Sequence, residues 1–332
     1  MRTSRTAKGV TACLAVIALA AGCSGSGGKD DEDTSGGGGG GKGVNTPRLK
    51  IAMVTHSGEG DTFWDIVRSG AKQAASKDNV QFLYANDKEA KGQAELVQSF
   101  VDKKVDGIVV TLAKPEAMRA VLGEAADAGI PVITINSGGE FSERFGALSH
   151  IGQDESVAGE AVGTELNTRG KKKALCVIHE QGNVSHEQRC AGVKKTFDGT
   201  VENLNVEGTN APAAQSSISA KLQATKDIDA VVTLGAPIAA YSVKAKTEAG
   251  SGAEVDTFDL NAEVVKQLKA KEVGFAVDQQ PYLQGYQAVD LLWLYKTNAN
   301  VLGGGRPVLT GPAVVTGKDV PKLEKYTARG TR

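Results

Sequence analysis

The sequence predicts an α/β protein built as two similar lobes, each with a parallel sheet, facing each other across a cleft. Three observations carry this reading. From residue 49 onward, apolar segments of strand length alternate with segments whose apolar residues recur at helical spacing. The strand segments are continuously apolar, as in Gly107 to Leu112, which marks strands covered on both faces. The series then runs a second time, with no recognisable helix-turn-helix ahead of it, over a length sufficient for two domains with full cores.

Leu49 to Thr55 is an apolar strand, and Phe63, Ile66, Val67, Ala71 and Ala74 make a helical stripe over Phe63 to Ala75. Val80 to Tyr84 is a strand, Leu96, Val97, Phe100 and Val101 form a helix face, and Gly107 to Leu112 is the third strand. Pro115 and Gly129 bracket the next helix, and Ile130 to Ile135 returns to strand. After His150 the second series gives a helix over Ser156 to Leu166, a strand over Lys173 to Ile178, and helices over Glu187 to Phe197 and Ser217 to Thr225. It continues with a strand at Ala230 to Leu234 and a helix at Pro237 to Ala249. Strands come next at Ala253 to Asp259 and Val273 to Asp278, then a long helix over Tyr282 to Lys296 and an extended stretch at Pro312 to Thr316.

The amino-terminal segment belongs to neither series. Arg2, Arg5 and Lys8 precede an apolar run from Val10 to Leu19, too short to cross a ~30 Å hydrocarbon core as a helix, and Ala20-Ala21-Gly22-Cys23 closes it. This reads as a secretory signal over residues 1–22 with Cys23 as a lipid attachment point. The segment resembles a bacterial lipoprotein signal, with Ala20 standing where that pattern prefers Leu. Residues 23–48, with Asp30 to Asp33 and the run Gly36 to Gly41, cannot bury apolar surface and read as a flexible linker. The expected location is the outer face of the bacterial cell membrane, facing a periplasm if the host has two membranes.

Charge and cysteine usage narrow the function further. The whole chain carries 38 Lys and Arg against 39 Asp and Glu. Removing residues 1–22 takes away three basic residues and no acidic one, leaving 35 against 39, a formal charge of −4 that gives no reason to expect nucleic acid. With Cys13 lost and Cys23 lipidated, Cys176 and Cys190 remain, on a strand and on the helix after it. The alternatives for that pair are a disulfide, which an oxidising exterior allows, and two buried thiols.

In open parallel sheets ligands sit outside the carboxyl ends of the strands, so the loops there carry the chemistry. The first such loop, His56 to Asp61, leads into a helix that starts with Phe63-Trp64, in a chain only 5% aromatic. Adjacent aromatics suit the C–H faces of a sugar ring, while Asp, Asn, Arg and Gln suit its hydroxyls. Residues one apart on a helix point in different directions, so at least one ring is expected to face the cleft.

Asp61 to Trp64 with Gly70-Ala71, Gly129 to Thr134, Asp154 to Gly159, Arg189 to Gly192, Phe258-Asp259 and Asp278 to Tyr282 together resemble the periplasmic ribose-type sugar-binding proteins, the solute receptors of ABC importers. The resemblance covers nearly the whole mature chain and implies a periplasmic binding protein type 1 fold. Two Rossmann-like lobes would be joined by a three-strand hinge, with 49–151 plus 281–311 in the N-terminal lobe and 152–280 plus 312–332 in the C-terminal lobe. It further implies a monomer that closes on one monosaccharide or polyol and presents it to an ABC transporter permease, with no cofactor. Phe63 and Trp64 match the aromatics that sandwich the sugar, Arg189 the cleft arginine, Asp259 the hydroxyl-accepting carboxylate at the hinge and Gln279 the hinge amide. Asp61 lies where the family is often polar.

Departures bear on specificity. Asn136-Ser137 stands where ribose receptors carry Asp-Arg, which makes ribose doubtful, and Gly235-Ala236 replaces an Asn-Asp pair. His179 and Asn183 are candidate replacements. The four histidines and the cysteine pair show no metal-ligand spacing, and no G-x-S-x-G elbow is present, so neither a metal site nor an enzyme is expected. A sensory receptor of the same fold, presenting a sugar-like signal or a nucleoside to a membrane sensor, is the alternative reading.

Overall fold

The computed structural model describes residues 46–58 and 61–332, and Gly43–Arg332 form one compact unit. The expected signal, Cys23 and most of the linker lie outside the described residues.

In chain order the first series is β1 (Lys50–Thr55), α1 (Thr62–Lys77), β2 (Gln81–Asn86), α2 (Ala90–Asp102), β3 (Gly107–Thr111), α3 (Pro115–Asp127), β4 (Val132–Ile135), a short α4 (Gly139–Ser142) and β5 (Ser149–Gly152). The second is α5 (Glu155–Thr168), β6 (Lys173–Ile178), α6 (Val184–Thr196), β7 (Thr200–Asn205), α7 (Ala211–Ala224), β8 (Ala230–Thr233), α8 (Ala236–Glu248), β9 (Glu254–Phe258), α9 (Ala262–Ala270) and β10 (Val273–Asp278). The chain ends with α10 (Pro281–Asn298), β11 (Val308–Leu309), β12 (Ala313–Thr316) and α11 (Val320–Ala328).

Two six-stranded sheets result, ordered β11-β5-β4-β3-β1-β2 and β12-β10-β9-β8-β6-β7. The first is parallel throughout its pairings, and in the second only β12 runs antiparallel to its neighbour. The continuous apolar runs are explained by cover on both faces. Ile51 and Met53 pack toward α1 and α10, while Ala52 and Val54 pack toward α2 and α3. In the second sheet Leu175 and Val177 pack with α7 and α8, and Ala174 and Cys176 with α5 and α6.

Three segments pass between the sheets, after β5, β10 and β11, and they are stitched together. The Thr310 N–H donates to the Gly152 carbonyl at 2.7 Å, and Gln280 Nε2 donates to the Thr310 carbonyl at 2.7 Å. The fold is therefore the type 1 periplasmic binding architecture, with two α/β lobes and a three-stranded hinge.

Helices α5 and α6 approach each other closely enough for their backbones to touch. A Cβ at Gly159 would lie 2.2 Å from the Arg189 carbonyl oxygen, and one at Gly192 would lie 2.4 Å from that of Ser156. Only glycine allows this approach, which sets Arg189 beside the start of α5. A disulfide between Cys176 and Cys190, with Cα atoms 6.0 Å apart, ties α6 to β6 from the other side.

The structure differs from the sequence reading in places. β7 is an edge strand with mixed polar residues and only partial burial, so it lacks the apolar signal of the inner strands. α6 starts at Val184 and α7 at Ala211, earlier than their apolar stripes indicate, because Asn183 and Asn210 cap them through side-chain oxygens. α9, capped by Asn261, and α11 are short helices that the apolar pattern alone does not mark.

Candidate functional site

A cavity of about 420 Å³ opens between the carboxyl ends of the two sheets. All nine residues singled out as ligand candidates line it: Asp61, Phe63, Trp64, Asn136, His179, Asn183, Arg189, Asp259 and Gln279. The elements deliver them from both sides. β1 and β4 of one lobe end at the cleft, as do β6, β8 and β9 of the other, and Gln279 comes from the hinge segment after β10.

One wall is aromatic. Asp61 caps α1 by accepting from the Phe63 N–H at 3.0 Å, which orients the first turn so that Phe63 and Trp64 reach the cavity. Their rings meet edge to face, centroids 5.0 Å apart at 80°, and His56 meets Trp64 similarly at 5.0 Å and 78°. No ring can be clamped between two planes so placed. The expected sandwich by this pair is therefore corrected to a single wall made by both. Each ring also belongs to the core packed around Val67 and Ala71, which is why both are buried while still lining the cavity.

The floor is a chain of amides and carboxyls. Asn136 Nδ2 donates to Gln279 Oε1 at 3.0 Å, and Gln279 Nε2 donates to Asp259 Oδ1 at 2.7 Å, so the chain runs from one lobe through the hinge to the other. Ser137 Oγ donates to Asn136 Oδ1 at 2.7 Å and Gln284 Nε2 to Gln279 Oε1 at 3.0 Å, which fix both amides. Asn136 and Asp259 hold left-handed backbones, φ 63° and 69°, a geometry that turns the chain sharply at the strand ends.

The opposite wall centres on Arg189. Its Nε and Nη2 donate to the two Glu155 carboxylate oxygens at 2.6 and 2.9 Å, and Nη1 donates to the Leu234 carbonyl at 3.0 Å. The guanidinium also lies over the Phe258 ring at 4.6 Å. A guanidinium has five N–H donors, and those three bonds leave two for the cavity. Glu155 is a partner that sequence reasoning missed, because an acidic residue in the first turn of a helix ordinarily reads as an exposed complement to the helix dipole.

The cleft mouth is held shut by contacts between lobes. The Val184 N–H donates to the Ala113 carbonyl at 3.0 Å, His56 Nε2 lies 3.5 Å from Glu180 Oε2, and Gln188 Nε2 donates to Glu140 Oε1 at 2.5 Å. Asn183 serves this mouth, capping α6 through Oδ1 and donating to Glu180 at 2.7 Å. His179 packs against His186 with the rings tilted by 47° and centroids 4.4 Å apart, and fills space beside Gly235, where a Cβ would lie 3.0 Å from its ring. The room opened by Gly235 is thus taken up by an imidazole. His56 and His186 also line the cavity, and their only sequence signal was placement near strand-end loops.

Burial sets the protonation states. It holds the His179 imidazole down at about 4 and pushes His186 and His56 down as well, so all three are neutral near pH 7. The Asp259 carboxyl is pushed up to about 7 and that of Asp61 to about 6, in both cases by burial. An acid raised on folding binds its proton more tightly in the native chain than in the unfolded one. Its contribution to stability therefore grows as pH falls through 7 toward the ordinary value of 3.8. Buried neutral histidines act oppositely, but only below their ordinary value of 6.5. The ligand-free melting temperature is expected to rise as pH falls from about 8 to about 6.5, and Asp259→Asn to reduce that rise. An identical slope in the variant would show that Asp259 is not the titrating group.

Comparison with known proteins agrees with this geometry. A family model described as a periplasmic binding protein domain matches residues 51–299. A carbohydrate transporter from Acidothermus cellulolyticus 11B, solved in complex with myo-inositol, is 47% identical with a TM-score of 0.85, covering 86% of this chain and 100% of that one. An ABC transporter solute-binding protein from Burkholderia graminis, solved with D-arabinose, shares the fold at 22% identity and TM-score 0.74, over 82% of this chain and 96% of that one. The xylose/arabinose-binding protein of Sulfolobus acidocaldarius is 24% identical over 219 residues, 60% of this chain and 54% of that protein, so the match spans about half of that relative's length. The chain belongs to the periplasmic binding protein domain family.

Proposed function

We propose that the protein is an extracytoplasmic lipoprotein that captures a cyclic polyol or monosaccharide, myo-inositol foremost, and delivers it to an ABC importer. The observation that carries this reading is the convergence on one cavity of an aromatic wall, an amide-carboxyl floor and a neutralised arginine, drawn from both lobes and the hinge. Its volume falls in the range of small-molecule sites, and its polar groups suit a ring with hydroxyls around its edge. The 47% identical relative, matched over its full length and solved with myo-inositol, supports the same ligand class.

The mechanism is capture without chemistry. The ligand's ring rests on the Phe63–Trp64 wall, its hydroxyls accept from the free N–H groups of Arg189 and donate to Asp259, and the closed form is selected because only there are both lobes in contact with it. A thermal-shift screen of Gly43–Arg332 against polyols, monosaccharides, nucleosides and amino acids tests this, since a ligand of the native state raises the melting temperature by mass action. A shift with myo-inositol or a monosaccharide is expected; a shift confined to nucleosides or amino acids would overturn the ligand class. For the anchor, Cys23→Ser is expected to release the protein from the membrane fraction, and retention of the variant there would refute lipidation at that residue.

A further inference from the structure

Glu155 lines no part of the cavity, yet it controls the only guanidinium among the cavity-lining residues. Its carboxylate takes the Nε–Nη2 edge of Arg189 at 2.6 and 2.9 Å, so the positive charge behind the N–H groups left for the cavity is already compensated. Both side chains are almost fully buried, at 3% and 4% exposure, so the pair is not screened by water. Gln153, on the hinge segment after β5, donates to Glu155 Oε2 at 2.8 Å and fixes the carboxylate in turn. The Leu234 carbonyl and the Phe258 ring hold the guanidinium on other sides.

The cavity therefore meets Arg189 as two directed N–H donors of a charge-compensated pair, not as a free cation. Two such donors serve hydroxyl oxygens well. An anionic group placed at Arg189 would gain little from a guanidinium already neutralised, and there it would sit near both Glu155 and the Asp259 carboxyl in a desolvated site.

We propose that Glu155 is the positioning residue that makes the cleft select neutral polyols over anionic counterparts, acting through Arg189. The proposal rests on the polyol reading for its neutral arm, and its anionic arm is independent of that reading. Glu155→Gln preserves shape and removes the charge. In the mature full chain, calorimetry with myo-inositol and with D-glucuronate is expected to show the variant binding myo-inositol at least about tenfold more weakly and glucuronate at least about tenfold more tightly than wild type. Reversion of the glucuronate gain in the Glu155→Gln/Arg189→Gln double variant would tie the effect to the guanidinium.

Equal weakening of both ligands, as a merely structural role would give, overturns the proposal. If Glu155→Gln does not fold, the wild type decides: glucuronate bound as tightly as myo-inositol overturns it, and glucuronate bound at least about a hundredfold more weakly sustains it. If the wild type binds no neutral sugar or polyol, the ligand reading fails on its own. Glu155 is then judged by whether its Gln variant gains glucuronate binding that the wild type lacks.

Discussion

Arg189→Ala is expected to weaken ligand binding by about 1.5–3 kcal/mol, the usual worth of charge-assisted hydrogen bonds in a desolvated site. It is also expected to destabilise the fold by about 3–5 kcal/mol, because removing one partner of a buried ion pair strands the other. The stranded group is Glu155, 4% exposed and left with Gln153 as its side-chain donor. Both losses come from one guanidinium, which holds Glu155 with one edge and faces the cavity with the other. Calorimetric titration and denaturant unfolding of the same variant separate them. Unchanged affinity would remove Arg189 from the site, and unchanged stability would mean that Glu155 finds water or another donor when its partner is gone.

Trp64→Ala is expected to have the second large effect. Truncating a buried tryptophan costs about 3–5 kcal/mol through lost transfer energy and the cavity left behind. Trp64 is 5% exposed and packs with Phe63, His56 and the core around Val67. Because the same ring walls the cleft, most ligand affinity is expected to go with it. Sequence reasoning treats core and cleft as alternatives for such a residue, and here one ring serves both. Trp64→Phe, which keeps an aromatic face, is expected to recover more of the binding than Ala does. An alanine variant that loses stability but binds with wild-type affinity would assign the ring to the core alone.

Arg189 and Trp64 were both legible in the sequence as members of one site. Strand-end position pointed to the loop leading into Phe63-Trp64, and the family resemblance supplied Asp61, Asn136, Arg189 and Asp259; all of them line one cavity, because parallel strands deliver their carboxyl-end loops to a common edge. The apolar runs of doubly buried strands marked most inner strands, but not the short β5, whose sequence is Ser-His-Ile-Gly, nor β7, whose edge position leaves no such run. What stayed hidden depends on pairing in three dimensions. Glu155 is 34 residues from Arg189, and its burial results from the close approach of α5 and α6 at Gly159 and Gly192. The His179 ring beside Gly235 is likewise a contact between separate loops, visible in sequence only as a missing side chain.

Calorimetric titration of Gly43–Arg332 with myo-inositol tests the polyol-receptor reading most directly. Saturable heat at one ligand per chain is expected, unchanged in the presence of millimolar amino acids or nucleosides. Absence of saturable binding for myo-inositol and for every monosaccharide tried, with binding of an amino acid or nucleoside instead, would contradict that reading and leave only the fold standing.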